Sequence, residues 1–175
     1  MAVATEHFTA LPVAVLTVSD TRDEATDTSG KYLQEALQAA GHVLADKKIV
    51  CDDIYRIRAV LSGWIADENV KVVLITGGTG FSGRDSTPEA VIPLFDKVID
   101  GFGEIFRAYS LQEIGSSTIQ SRAIAGLANN TVVFCMPGST GACKTAWVNI
   151  IREQLDSAHR PCNFVGVLNT RQQLK

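Results

Sequence analysis

The sequence predicts a single α/β domain built on an open, doubly wound, mostly parallel sheet with helices on both faces. Two observations carry this. Pro12–Val18, residues 70–76 and Thr131–Met136 are near-continuous apolar runs of strand length, the pattern of strands covered on both faces. Between them lie stretches whose apolar residues recur every three or four positions, the period of a helix that buries one side.

The first run stops at Ser19-Asp20, and the polar stretch to Ser29 reads as a loop. Tyr32, Leu33, Ala36, Leu37 and Ala40 then mark a helix, with Gly41 placed to end it and Asp27 placed to cap its start at Thr28. Val43–Val50 suggests a second strand. Ile54, Ile57, Leu61, Trp64 and Ile65 mark a second helix, capped by Asp52 or Asp53. The third strand, residues 70–76, leads through a glycine-rich loop into a helix at about 87–96. Phe102, Ile105, Phe106 and Tyr109 place a helix over 100–115, and residues 119–127 read as another short helix. Thr131–Met136 is a fourth strand. Pro137-Gly138-Ser139-Thr140-Gly141 turns the chain into a helix over 142–155, and the last twenty residues read as irregular. The division is an N-terminal extension, 1–11, one domain, 12–168, and a C-terminal tail, 169–175.

Composition narrows the function. At 175 residues, 46% apolar and 20% charged, the chain is long enough for a substantial core. A formal charge of −3 without a basic run argues against nucleic acid as a partner. No stretch approaches the ~18 apolar residues that span a bilayer, and the first ten residues lack the pattern of a secretory signal. A cytoplasmic protein with reduced thiols is expected, since Cys51, Cys135, Cys143 and Cys162 show no CxxC spacing. His7, His42 and His159 are too scattered to suggest zinc.

The strongest functional signal is residues 74–90. A buried strand feeds Thr76-Gly77-Gly78-Thr79-Gly80, where three glycines permit φ > 0 and leave N–H groups free to face an anion. Arg84 and Asp85 follow, and Ser86 and Glu89 have capping-box spacing around Thr87-Pro88. The loop is neither a Walker A loop nor a Rossmann GxGxxG. It suits a phosphorylated small molecule held at the carboxyl end of the sheet, where Ser19-Asp20, Asp52-Asp53 and the loop after Met136 should converge.

Val15-Leu16-Thr17-Val18-Ser19-Asp20, Asp27-Thr28-Ser29-Gly30, the glycine loop with Arg84-Asp85-x-Thr87-Pro88-Glu89-Ala90, and Met136-Pro137-Gly138-Ser139 together resemble the MoaB/MogA family of molybdenum cofactor biosynthesis. The closing Arg160-Pro161-Cys162-Asn163-Phe164 is more similar to the MoaB branch. The resemblance implies a trimer or dimer of trimers, molybdopterin and ATP as substrates, Mg²⁺, and AMP transfer to the terminal phosphate of molybdopterin. A molybdenum-insertion enzyme is the implied recipient of the product. The alternative is a non-catalytic molybdopterin carrier with the same pocket.

Carried over by this resemblance, the essential carboxylates are Asp52 and Asp85, both suited to holding Mg²⁺. Thr76, Gly77, Gly78, Thr79, Gly80, Ser19, Asp20, Pro137, Gly138 and Ser139 are candidates for the substrate side. Ser19, Asp20, Ser139 and Thr140 fit a turn or cap equally well. Arg84 suits either a phosphate brace or a surface ion pair. Trp64, Trp147, Cys135 and Cys143 read as core, although Trp147 and the Phe102/Phe106 segment are offered as apolar contact for assembly. Asp23 and Glu24 read as a solvated loop face, and Lys144 as an exposed lysine without a role.

Overall fold

The computed structural model describes residues 7–168. Strands β1 (Pro12–Val18), β2 (Val43–Val50), β3 (Val72–Thr76) and β6 (Thr131–Met136) pair in parallel, and β5 (Ile124–Ala128) and β4 (Lys97–Val98) add an antiparallel margin. The order is β2-β1-β3-β6-β5-β4.

Burial on both faces follows from the apolar runs. Val13, Val15, Val72, Leu74, Val132 and Phe134 point to one face, under α1 (Thr28–Ala39), α4 (Asp100–Ile114) and α5 (Thr140–Ala146). Ala14, Leu16, Val73, Ile75, Val133 and Cys135 point to the other, under α2 (Ile54–Ala66) and α3 (Thr87–Val91). This period-two division is what strand geometry dictates.

Several expectations are corrected. The helix at 87–96 stops at Val91 and continues as a 3₁₀ turn, Ile92–Leu94, because Pro93 has no N–H to donate. The two-residue strand β4 then follows, unannounced by any apolar pattern. Residues 119–127 are not a helix: a 3₁₀ turn, Gly115–Gln120, gives way to β5, which pairs with β6. Asn129 and Asn130, at φ 45° and 64°, form the two-residue hairpin turn between them. The helix at 142–155 starts earlier, at Thr140, and widens into a π turn over Trp147–Ile151 before α6 (Arg152–Gln154). The closing segment contains a short helix, α7 (Val165–Leu168). Phe102, Phe106 and Trp147 are themselves buried within this chain, while Ile105, Tyr109 and Leu111 of α4 stay exposed.

Of the expected terminal segments, 1–6 and 169–175 lie outside the described residues. Leu11 is already part of the core, and Thr9 N–H donates to Ser157 Oγ at 2.9 Å. No helix among the described residues is long and apolar enough to cross a membrane.

Candidate functional site

Parallel register aligns the strand ends that matter. Thr17 lies opposite Thr76, Thr76 opposite Met136, and Val18 opposite Val50, so the loops after β1, β2, β3 and β6 meet at one edge. β1 is flanked by β2 on one side and β3 on the other, so the crevice where the strand order reverses opens between β1 and β3. A cavity of about 390 Å³ sits there.

The glycine loop forms one wall. Gly77 and Gly78 take φ 105° and 64°, and a Cβ on Gly77 would fall 2.1 Å from Val18 O. Four consecutive carbonyls are tied off by the protein. Gly77 O accepts from Thr87 Oγ1 (2.8 Å) and Gly78 O from Thr87 N–H (3.0 Å). Thr79 O accepts from Arg122 N–H (3.1 Å) and Gly80 O from Arg122 Nε (2.8 Å). In a trans peptide the N–H points opposite to the carbonyl, so the N–H groups of residues 78–81 are turned away from these partners. Gly80 lies against the Asp85 carboxylate, and no protein group among the described residues accepts from Gly78 or Thr79 N–H. Unpaired backbone donors on a cavity wall are the requirement for an anion cradle.

Both predicted carboxylates flank this loop. A Cβ on Gly78 would fall 2.6 Å from Asp52 Oδ2, and one on Gly80 would fall 2.9 Å from Asp85 Oδ2. Asp53, not Asp52, caps α2, accepting from Tyr55 and Arg56 N–H. Asp52 is thereby free to accept from Ser86 N–H (3.0 Å) and Ser86 Oγ (2.5 Å). The expected capping box is therefore absent: Ser86 Oγ serves Asp52, and the Glu89 carboxylate pairs with Arg122. Asp85 Oδ2 accepts from Ser82 N–H at 2.8 Å. The Ser82 hydroxyl holds the Asp85 carboxyl below the usual carboxylate range; burial opposes this, and the Ser82 and Gly80 N–H groups and the Arg122 charge reinforce it.

The other candidates divide. Ser19, Thr76, Pro137 and Gly138 line the cavity with the glycines and Asp85, whereas Asp20, Asp52, Arg84 and Ser139 stand outside its lining. Arg84 forms an ion pair with Asp20 at 2.8 Å, and the other Asp20 oxygen accepts from Asp52 N–H at 3.1 Å. Ser139 caps α5 through Ala142 N–H, Ser19 Oγ accepts from Thr21 and Arg22 N–H, and Asp27 caps α1 through Gly30 N–H. Thr76 Oγ1 donates to Pro137 O at 3.0 Å, locking the glycine loop to the loop after β6. Cys143 lies beside Thr76, with burial pushing its thiol up to about 11, and burial raises Cys135 further. Trp64 is buried, with Nε1 donating to Asp46.

The sequence reading missed the opposite wall: Arg22 from the loop after β1, with Ile114, Ser117, Gln120 and Ser121 from the end of α4 and the turn that follows. Ser121 Oγ is buried there without a partner. It also missed Arg122, which stands 42 positions from Gly80 and looks like an ordinary polar residue before a strand.

Comparison with known proteins agrees with this geometry. Residues 14–157 match the family model of a probable molybdopterin binding domain. Molybdenum cofactor biosynthesis protein B of Escherichia coli K12 is 56% identical over 164 residues, covering 94% of this chain and 96% of that protein. The protein of the same description from Bacillus cereus is 50% identical, covering 86% and 92%. A solved structure of a molybdenum cofactor biosynthesis protein B superposes with a TM-score of 0.84 at 42% identity, covering 95% and 98%. The tungsten cofactor synthesizing protein MoaB from Pyrococcus furiosus gives 0.75 at 38%, covering 83% and 92%. A glycine loop with its carbonyls tied back, set at the switch point of this sheet and matched along nearly the whole chain, places the protein within the MoaB/MogA family of molybdenum cofactor biosynthesis proteins.

Proposed function

We propose that this protein transfers AMP from ATP to the terminal phosphate of molybdopterin, releasing pyrophosphate. The observation that carries the reading is the pairing of a carbonyl-tied glycine loop with a carboxylate on either side of it, Asp52 against Gly78 and Asp85 against Gly80. A phosphate oxygen of molybdopterin attacks the α-phosphorus of ATP, a P–O bond forms, and the bond to the β-phosphate oxygen breaks. The nucleophile is already ionised at neutral pH, so the chain must supply position and charge balance rather than a base. The N–H groups of Gly78 and Thr79 take phosphate oxygens.

The residues suit Mg²⁺. Among the described residues no cluster of three or more His, Cys, Asp or Glu is placed to hold a metal, and two carboxylates plus substrate oxygens and water is the usual way Mg²⁺ is bound. Asp85, which lines the cavity and stays ionised, and Asp52 behind Gly78 are the residues to hold it; bound there, it would neutralise charge building on the transferred phosphoryl oxygens. Family membership also supports a trimer or dimer of trimers, a cytoplasmic location and delivery to a molybdenum-insertion enzyme. Light scattering checks the assembly, since monomer alone at micromolar concentration contradicts it.

The deciding experiment is turnover with molybdopterin and Mg-ATP, followed by chromatography of the adenylylated pterin. Product that disappears in Asp85→Asn, with molybdopterin binding retained, supports the enzyme. Binding without product shows a carrier instead.

A further inference from the structure

The guanidinium of Arg122 occupies an unusual place in the loop's hydrogen bonding. Its Nε donates to Gly80 O at 2.8 Å, its Nη2 to Asp85 O at 2.9 Å, and its Nη1 pairs with Glu89, while its own N–H holds Thr79 O at 3.1 Å. One residue thus grips both ends of the segment 79–85. Phe81 covers the guanidinium, 5.2 Å from ring centre to Cζ. The grip is itself anchored: Arg107 of α4 donates to the carbonyls on either side, Ser121 O at 3.5 Å and Ala123 O at 3.3 Å.

The three carbonyls it holds are the informative ones. Fixing the carbonyl of a peptide unit fixes the direction of its N–H. Holding Thr79 O and Gly80 O turns the N–H groups of Gly80 and Phe81 away from Arg122, and Gly80 packs against the Asp85 carboxylate. Holding Asp85 O sends Ser86 N–H to Asp52 Oδ1 at 3.0 Å. The peptide between Asp85 and Ser86 is gripped at its oxygen by Arg122 and at its hydrogen by Asp52. Arg122 therefore neither lines the cavity nor bonds to the carboxylates of Asp52 and Asp85, yet it fixes the peptides that place those two carboxylates.

We propose that Arg122 is the positioning residue of the site, setting the peptide planes at Gly80, Phe81 and Ser86 so that Asp85 and Asp52 keep their places on either side of the phosphate-binding loop, whose Gly78 and Thr79 N–H groups are oriented by Thr87. The assignment of those groups to phosphate transfer rests on the function proposed above. Lysine cannot replace it fully, because a single ammonium lacks the planar fork that reaches two carbonyls and a carboxylate together.

The test compares wild type, Arg122→Gln and Arg122→Lys in three measurements: hydrogen exchange of segment 77–86, calorimetric binding of inorganic pyrophosphate with and without Mg²⁺, and turnover. In Arg122→Gln, exchange in 77–86 rises about tenfold with β3 and β6 unchanged, and pyrophosphate affinity falls about tenfold. The kcat falls about a hundredfold, more than KM changes, as expected for misplaced reacting groups. Arg122→Lys falls between the two and decides the matter if the glutamine variant does not fold. Wild-type exchange and pyrophosphate affinity in Arg122→Gln, with only a lower melting temperature, overturn the proposal and leave Arg122 a structural strut. Absence of turnover in wild type overturns the adenylyl-transfer reading alone; the exchange and pyrophosphate measurements still decide the role of Arg122.

Discussion

Asp52 and Ser86, 34 positions apart, are joined twice: one carboxylate oxygen accepts both the backbone N–H and the hydroxyl of the serine. The loop after β2 is thereby fastened to the start of α3. Replacing Asp52 with alanine leaves Ser86 N–H unpaired and should cost about 1–3 kcal/mol in denaturant titration. Asp52→Asn keeps an oxygen at that N–H, so folding should fall by about 1 kcal/mol or less while adenylyl transfer drops on the order of a hundredfold. An asparagine variant with wild-type turnover would remove Asp52 from the charge balance of the reaction.

Gly78→Ala should be among the most damaging small substitutions. The new Cβ falls 2.4 Å from Thr87 Oγ1 and 2.6 Å from Asp52 Oδ2, on a backbone at φ +64°. Stability should fall by about 2 kcal/mol and pyrophosphate binding should be lost. Gly63→Ala is the contrast, because it lies inside α2 with nothing within 4 Å of the added carbon. It should raise stability by about 0.5–1 kcal/mol with activity unchanged. Thermal melts of both variants check this pair.

His42 predicts a pH dependence of stability. Burial lowers its pKa below 6.5, with the Asp156 charge opposing, and its Nδ1 accepts from Leu11 N–H. The unfolded chain therefore takes up the proton first. This contribution is fully present above about pH 6.5 and is lost as pH falls below it. Arg152, Glu153, Asp156 and His159 share the cavity beside His42, so the slope must be isolated by comparison. His42→Asn should flatten the decline between pH 6.5 and 5; an unchanged slope assigns the decline to the neighbours.

Thiol labelling should separate the cysteines. Cys162 is exposed and Cys51 intermediate, whereas Cys135 and Cys143 are buried, with the Cys143 thiol pushed up to about 11. Native protein at pH 8 should take up iodoacetamide at Cys162 first and leave Cys135 and Cys143 unmodified until denaturant is added. Early labelling of Cys143 would mean that the floor beside Thr76 opens in solution.

β1, β3 and β6 were legible because they are buried on both faces, which writes them as apolar runs. The antiparallel margin was not. β5 reads Ile-Ala-Gly-Leu-Ala, a composition with no strand preference, and its identity depends on the Asn129-Asn130 turn that folds it onto β6. The site divides in the same way. Glycines and aspartates announce themselves locally, and all of them reach the same edge of the sheet. Arg122 and the wall from Ile114 to Ser121 acquire their place only through packing of α4, which sequence spacing does not encode. The capping-box pattern misled because the Ser86 hydroxyl donates to the Asp52 carboxylate instead of accepting from an N–H of its own helix.

The two margins of the sheet carry a further consequence. On one side β2 presents Asp46, Lys47 and Lys48 along an otherwise available ladder, and on the other β4 is only two residues long. Charged or abbreviated outer strands are poor templates for another chain's backbone. A continuous sheet running through two neighbouring copies is thereby disfavoured.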